Sequence, residues 1–149
     1  MTRKMARTSA KTAASKGKTS LSRAYRLAQR ASRQGFDWRD ITDVFKKMDE
    51  EVRELREAIA LKRRSKIREE VGDLLFVLVN IARFLQIDPE KALDRTVNKF
   101  ILRFRYVEDA LRKKGRSLCQ SDLAEMDQLW EEAKKMDKSR IKYQSSKFK

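Results

Sequence analysis

Apolar residues in this chain recur with the 3.6-residue period of an α-helix, in five stretches separated by glycine, proline or polar turns. The first stretch runs from about Ser20 to Arg33 and ends at Gly35. The second starts near Asp40, where "DITDVFKKMDEEVRELREAIAL" sets Ile41, Val44, Phe45, Met48, Val52, Leu55 and Ile59 along one stripe. The third covers about Lys66 to Leu85, and Asp88 and Pro89 read as the cap and first residue of a fourth helix. That fourth helix carries Phe100, Phe104 and Val107 on its apolar side and fades at Gly115. "SDLAEMDQLWEEAKK" makes a fifth, capped by Ser121 or Asp122. After Leu74 the third stretch is apolar nearly all round, which predicts a central, buried helix with Leu74, Leu75, Leu78, Ile81 and Leu85 in the core. The expected fold is all-α: a helical bundle of about five helices around that central buried helix.

Composition narrows the chemistry. The 149 residues suit one compact domain. No histidine is present, so imidazole dyads and triads, ordinary zinc hydrolase sites and the Glu-x-x-His di-iron bundle are excluded. Cys119 is the sole cysteine and cannot form an internal disulfide, which fits a reducing, cytoplasmic setting. The apolar run from Leu74 to Leu85 is too short to span a membrane and contains Asn80 and Arg83. The net charge of +15 is concentrated at the ends, since residues 1–23 carry seven Lys/Arg and no acid, and residues 134–149 carry seven Lys/Arg against Asp137. Residues 1–20 therefore read as a basic, disordered tail, 21–137 as the folded domain and 138–149 as a second basic, flexible tail. The acid-free start is also a bias of organelle transit peptides. Basic tails make weak, salt-sensitive nucleic-acid contact an alternative or accessory role.

Acidic residues interrupt the apolar pattern at one place on each of two neighbouring helices. "EEVRE" supplies Glu50, Glu51 and Glu54, and "EVGD" supplies Glu70 and Asp73. Residues three apart lie about 60° apart around a helix and roughly 4.5 Å along it, so Glu51 with Glu54 and Glu70 with Asp73 form two claws. A short connection near Ser65 makes the two helices antiparallel neighbours, which lets the claws face one another. Converging carboxylates repel unless a hard cation sits among them, and oxygen ligands without His or Cys suit Mg²⁺ or Mn²⁺. The alternative for "EEVRE" is a solvated helix face, with Arg53, Arg56 and Arg68 as local partners. Glu70 and Asp73 fit that alternative less well, because they adjoin the most apolar segment.

Beyond these carboxylates, "GFDW" (35–38), "EEVGDLLFVLVNIAR" (69–83), "NKF" (98–100), "RFRYVE" (103–108) and "LAEMDQLWEEAK" (123–134) occur in an order that resembles the MazG family of nucleoside triphosphate pyrophosphohydrolases. The resemblance covers about Tyr25 to Lys135 and is nearest to the C-terminal of the two domains in longer MazG proteins. It implies hydrolysis of a nucleoside triphosphate to the monophosphate and pyrophosphate, and a homodimer. It implies that Glu51, Glu54, Glu70 and Asp73 hold Mg²⁺ (Mn²⁺ as a substitute), with Glu50 orienting water or a second ion. It further implies that Lys47, Lys66, Lys99 and Arg103 grip phosphates and that Trp130 contacts the nucleotide; for Trp130 a packing role competes. Trp38 and Phe36 read first as packing residues, Asn80 as a buried hydrogen-bonding group, and Arg83 as the partner of an acid on another element. Two departures stand out: Ile101 and Leu102 occupy positions where the family often has an acid and an Arg, and Phe84, Leu85 and Gln86 replace a common His-Leu-Gly. A non-catalytic, nucleotide-binding member of the family is a further alternative, against which the full acidic set argues.

Overall fold

The computed structural model describes residues 19–146, with side chains described through Asp137. Of the expected tail over residues 1–20, residues 1–18 lie outside the described residues, as do the side chains from 138 onward. Five α-helices and one 3₁₀ turn are present, with no strand among the described residues. They are α1 (Ser20–Arg33), α2 (Ile41–Ala60), α3 (Arg64–Phe84), α4 (Pro89–Lys113) and α5 (Leu123–Ser146), with the 3₁₀ turn at Leu118–Gln120. The chain divides into two compact units, one ending at Glu90 and the other beginning at Lys91.

Local chemistry explains the helix ends. Asp40 accepts hydrogen bonds from the backbone N–H groups of Thr42 and Asp43 at 2.8 and 3.2 Å, opening α2. Asp88 does the same for Glu90 at 3.0 Å, with Pro89 as the first residue of α4. Of the two candidate caps for α5, Asp122 is the one used, accepting from Glu125 N at 2.8 Å. Helix α1 stops where Gly35 takes φ +84°, and Phe36 N–H turns back to Ala31 O at 3.1 Å. The same left-handed stop occurs without glycine at Lys62 and Gln86, with φ 53° and 56°. There the N–H groups of Arg63 and Ile87 close onto the carbonyls of Ala58 and Ala82.

In the first unit α3 packs against both α2 and α1. The seam on α2 is made by Val44, Glu51 and Ala58, each seven residues from the next and all buried. Seven residues return to nearly the same face of a helix, so this is a narrow coiled-coil-like line. Phe45 and Ile59, expected on the core stripe, are instead exposed. On α3 the buried residues are Glu70, Val77, Val79 and Asn80.

The expectation of a fully buried α3 is corrected here. Leu75, Leu78 and Leu85 are each about half exposed, and Leu74 and Ile81 only partly covered. An all-round apolar helix needs neighbours on every side, and α1 and α2 cover only one of them. The second unit has its own small core of Val107, Leu111 and Leu129, with Leu118, Met126 and Trp130 packed against it. Phe100 and Phe104, expected with Val107, are exposed and stacked on each other with ring centroids 5.8 Å apart.

Candidate metal centre and active site

Two acids occupy seam positions that normally take an apolar side chain. Glu51 replaces the middle member of the Val44–Ala58 line, and Glu70 is the buried residue one heptad before Val77. The first is 4% exposed and the second 0%. Glu51, Glu70 and the exposed Asp73 each present a carboxylate oxygen, and these oxygens lie within 4.8 Å of one another. The α2–α3 turn at 61–63 brings the two helices back antiparallel, so "EEVRE" and "EVGD" meet at the same level of the hairpin.

Lysines one turn before each acid supply part of the compensating charge. Lys47 Nζ lies 2.7 Å from Glu51 Oε1 and 3.1 Å from Glu50 Oε1. Lys66 Nζ lies 2.8 Å from Glu70 Oε1 and 3.4 Å from Glu69 Oε2. Both ammonium groups are held above their ordinary range by the neighbouring carboxylates, Lys66 pushed up to about 12. The compensation is incomplete. Neither oxygen of Glu70 has a well-directed hydrogen bond among the described residues, despite the nearby lysine. Lys47 pulls the Glu51 carboxyl downward, but burial, Glu70 and Asp73 outweigh it and hold that group above the ordinary carboxylate range. Lys66 holds Glu70 below that range.

This donor set fits a divalent cation. Buried, under-satisfied carboxylate oxygens are costly unless paired or bound to a metal, and an all-oxygen site suits a hard ion. Glu54, one turn beyond Glu51, is partly exposed and stands outside the converging trio; Arg53 lies 3.9 Å from its carboxylate. Glu50 is exposed beside Lys47.

Around this centre the first unit holds a second polar group of interest. Asn80 is 1% exposed, donates from Nδ2 to Phe76 O at 3.1 Å and accepts from Arg83 Nε at 3.2 Å, as expected of a buried amide. Arg83 reaches on to Asp37 through two hydrogen bonds of 2.9 and 2.5 Å, pinning the "GFDW" loop to α3. Its guanidinium also sits over the Phe84 ring at 4.6 Å. Phe36 does not pack as expected, being 83% exposed.

Lys99, Arg103 and Trp130 belong to the second unit. Lys99 is exposed. Arg103 Nε bonds to Asp137 Oδ2 at 2.7 Å, and its guanidinium lies 5.8 Å from the centre of the Trp130 ring. Trp130 is partly buried against Phe100, at 5.2 Å between centroids, so its packing role is real.

The sequence model of the MazG nucleotide pyrophosphohydrolase domain matches residues 39–107, which contain the whole acidic centre. Residues 39–107 form a MazG domain. The chain is 43% identical over 119 residues to the nucleoside triphosphate pyrophosphohydrolase/pyrophosphatase MazG of Thermotoga maritima, covering 80% of this chain and 46% of that protein. It is 36% identical over 121 residues to the nucleoside triphosphate pyrophosphohydrolase of Escherichia coli K12, covering 78% of this chain and 45% of that one. A stretch of 72 residues is 46% identical to the uncharacterized protein YabN of Bacillus subtilis, covering 48% of this chain and 15% of that protein. The chain thus spans about half the length of the two pyrophosphohydrolases it matches. No helix among the described residues is long and apolar enough to cross a membrane. What the sequence pattern alone did not reveal is that Glu51 and Glu70 are seam residues. Their spacing of seven from Val44, Ala58 and Val77 was the available signal.

Proposed function

We propose that this chain hydrolyses nucleoside triphosphates to the monophosphate and pyrophosphate, clearing unwanted nucleotides from the pool. The observation that carries this reading is the convergence of Glu51, Glu70 and Asp73 oxygens within 4.8 Å, with Glu70 fully buried and under-satisfied. Attack by water on the α-phosphorus, with pyrophosphate leaving, asks for positioned groups and charge neutralisation more than for covalent chemistry. Glu51, Glu54, Glu70 and Asp73 would hold Mg²⁺, with Mn²⁺ as a substitute. The ion, when bound, supplies a Lewis acid for phosphate oxygens and eases deprotonation of water.

The remaining work falls to side chains of the chain itself. Glu50, exposed at the edge of the centre, is suited to orienting the water. Lys47 and Lys66 stand between the acids and solvent, where each ammonium is free to swing from carboxylate to phosphate with its flexible stem. Lys99 and Arg103 supply further cations, and Trp130 an aromatic surface for the nucleotide. The half-exposed apolar side of α3 supports a homodimer.

Incubation with each NTP and dNTP plus Mg²⁺ in ¹⁸O-water tests the reaction. Monophosphate and pyrophosphate should form, with the label in the monophosphate. Asp73→Ala and Glu70→Ala should abolish both products. Orthophosphate release, or label in pyrophosphate, would refute attack at the α-phosphorus.

A further inference from the structure

Helix α1 carries Arg23, Arg26, Arg30 and Arg33, no lysine and no acid, and all four arginines are exposed. Their spacing of three, four and three residues holds them within about 80° of arc, in a row about 15 Å long. Each is a helical neighbour of the next, so the row repels itself and disfavours the helix that carries it. Arg30 and Arg33 regain something from the C-terminal end of the helix dipole, but Arg23, at the end of the first turn, stands on the disfavoured side. Elsewhere exposed arginines meet acids close in sequence: Arg39 pairs with Asp43, Arg53 with Glu57 and Arg112 with Asp109. Among the described residues Arg23, Arg30 and Arg33 make no ion pair. Four like charges on one face, with no acid beside them on their own helix, call for an anion from outside.

The row borders a groove. Arg23, Arg26 and Arg30, with Ser20, Ala24 and Leu27 of the same helix and Phe76 of α3, line an open recess of about 510 Å³ with no acidic side chain in its wall. Leu27 is 59% exposed and Phe76 37%, so apolar surface faces solvent beside the guanidinium groups. Arg26 also borders a recess that contains Asp88, which leaves Arg23, Arg30 and Arg33 as the uncommitted cations. The segment leading into Ser20, at one end of the groove, adds six Lys/Arg and no acid over residues 1–18. Ten cations thus precede Asp37, the first acid of the chain.

We propose that α1 and this groove bind single-stranded nucleic acid. Phosphates of the strand meet Arg23, Arg30 and Arg33, whose planar forks match phosphate oxygens, and unpaired bases lie against Leu27 and Phe76. A duplex turns its ring faces inward and offers the groove only its charge, and an acidic peptide brings carboxylates without the rings. None of these side chains belongs to the acidic centre, so strand binding needs neither Mg²⁺ nor turnover.

Fluorescence anisotropy of a labelled oligothymidylate of about 20 nucleotides, titrated with the full chain over a salt series, tests this. Binding should weaken as salt rises. The triple variant Arg23→Gln, Arg30→Gln, Arg33→Gln should raise Kd more than about tenfold and lower the slope of log K against log salt by about two, at about 0.7 per phosphate contact. A matched variant, Lys11→Gln, Lys16→Gln, Lys18→Gln, removes the same charge from the preceding segment and should raise Kd about threefold at most. Equal effects of the two would mean that net charge holds the strand, and would overturn the α1 site. An abasic strand of the same length should bind more weakly with the same salt slope, because it keeps the phosphates and loses the rings. Equal binding of the abasic strand, of a duplex or of polyglutamate would overturn the assigned occupant. Glutamine suits an exposed helical position about as well as arginine, so the α1 variant should match wild type in melting and in nucleoside triphosphate turnover. Turnover that fell in step with strand binding would make this face part of the hydrolytic site and overturn a separate one.

Discussion

Lys66 Nζ stands 2.8 Å from Glu70 Oε1, one turn earlier on α3, and is the cation nearest a carboxylate with no exposed surface. Glu70 is held below its ordinary value of 4.5, first by Lys66. A depressed carboxyl contributes stability that is present above the unfolded value and lost as pH falls through the folded one. Lys66→Met should therefore lower the Tm of the metal-free protein at pH 7. The gap to wild type should close on acidification below about pH 4.5. Thermal melts from pH 3 to 7 measure it, and a gap of constant size would mean that the ion pair is not its source.

Glu51 behaves in the opposite sense. Its folded value is raised above 4.5, so its ionised form opposes folding at neutral pH, and stability from this group rises as pH falls through the folded value. Glu51→Gln should leave the metal-free protein at least as stable as wild type at pH 7. Addition of Mg²⁺ should reverse the order. An ion binding only the folded state adds about 2.7 kcal/mol at a hundredfold excess over its Kd, and the variant should lose most of that gain. Melts with Mg²⁺, and again with chelator, check both halves. A Glu51→Gln protein that gains as much from Mg²⁺ as wild type would remove Glu51 from the ligand set.

These two acids also mark how far the sequence could be read. Helix positions followed from Asp40, Asp88, Pro89 and Gly35, because caps and glycine turns are local chemistry written in single residues. The stops at Lys62 and Gln86 carry no such mark, since their left-handed backbone is imposed by the turn and not by residue type. The acidic pairing of "EEVRE" with "EVGD" was legible from spacing. That Glu51, Glu70 and Asp73 are the ones that converge among the described residues was not, because it depends on how the α2–α3 seam is rotated. A stripe drawn through Phe45 and Ile59 turns that seam toward the wrong side; the line Val44–Glu51–Ala58 is the one that packs. The burial of α3 was overstated for a related reason: periodicity tells which residues seek cover, and tertiary neighbours decide which of them find it within one chain.

The bond between Arg83 and Asp37 gives a test of the loop anchor. Burial raises the Asp37 carboxyl, but Arg83, Ser32 and the Trp38 N–H outweigh it and hold it below its ordinary 3.8. Arg83→Met removes both charged hydrogen bonds and the one to Asn80. The expected loss is about 2 kcal/mol at pH 7, since hydrogen bonds to charged groups contribute about 1.5–3 kcal/mol and Asp37 remains partly solvated. A chain of this size should melt about 4–8 °C lower as a result. Asp37→Asn should cost less, because an amide still accepts from the guanidinium. Chemical denaturation of both variants ranks them, and equal losses would show that the charge contributes little.

The exposed side of α3 leads to the last prediction. Val71, Leu75, Leu78 and Leu85 fall within about 80° of arc, away from the seam that holds Glu70 and Val77. Each is between 44% and 53% exposed, so the stripe runs from Val71 to the C-cap of a helix that carries two of the three converging acids. Covering one leucine completely is favourable by about 1.5–3 kcal/mol relative to leaving it in water, and a stable interface buries about 800 Å² on each partner. A second copy of the chain meeting this stripe would bury the row twice over. Light scattering coupled to size exclusion should accordingly report a dimer at micromolar concentration. Leu78→Glu should shift it to monomer and make Tm lower and independent of protein concentration. Because Leu78 faces away from the acids, Mg²⁺ should still raise the Tm of the monomeric variant. A wild-type chain that remains monomeric at every concentration would leave this stripe without the partner assigned to it.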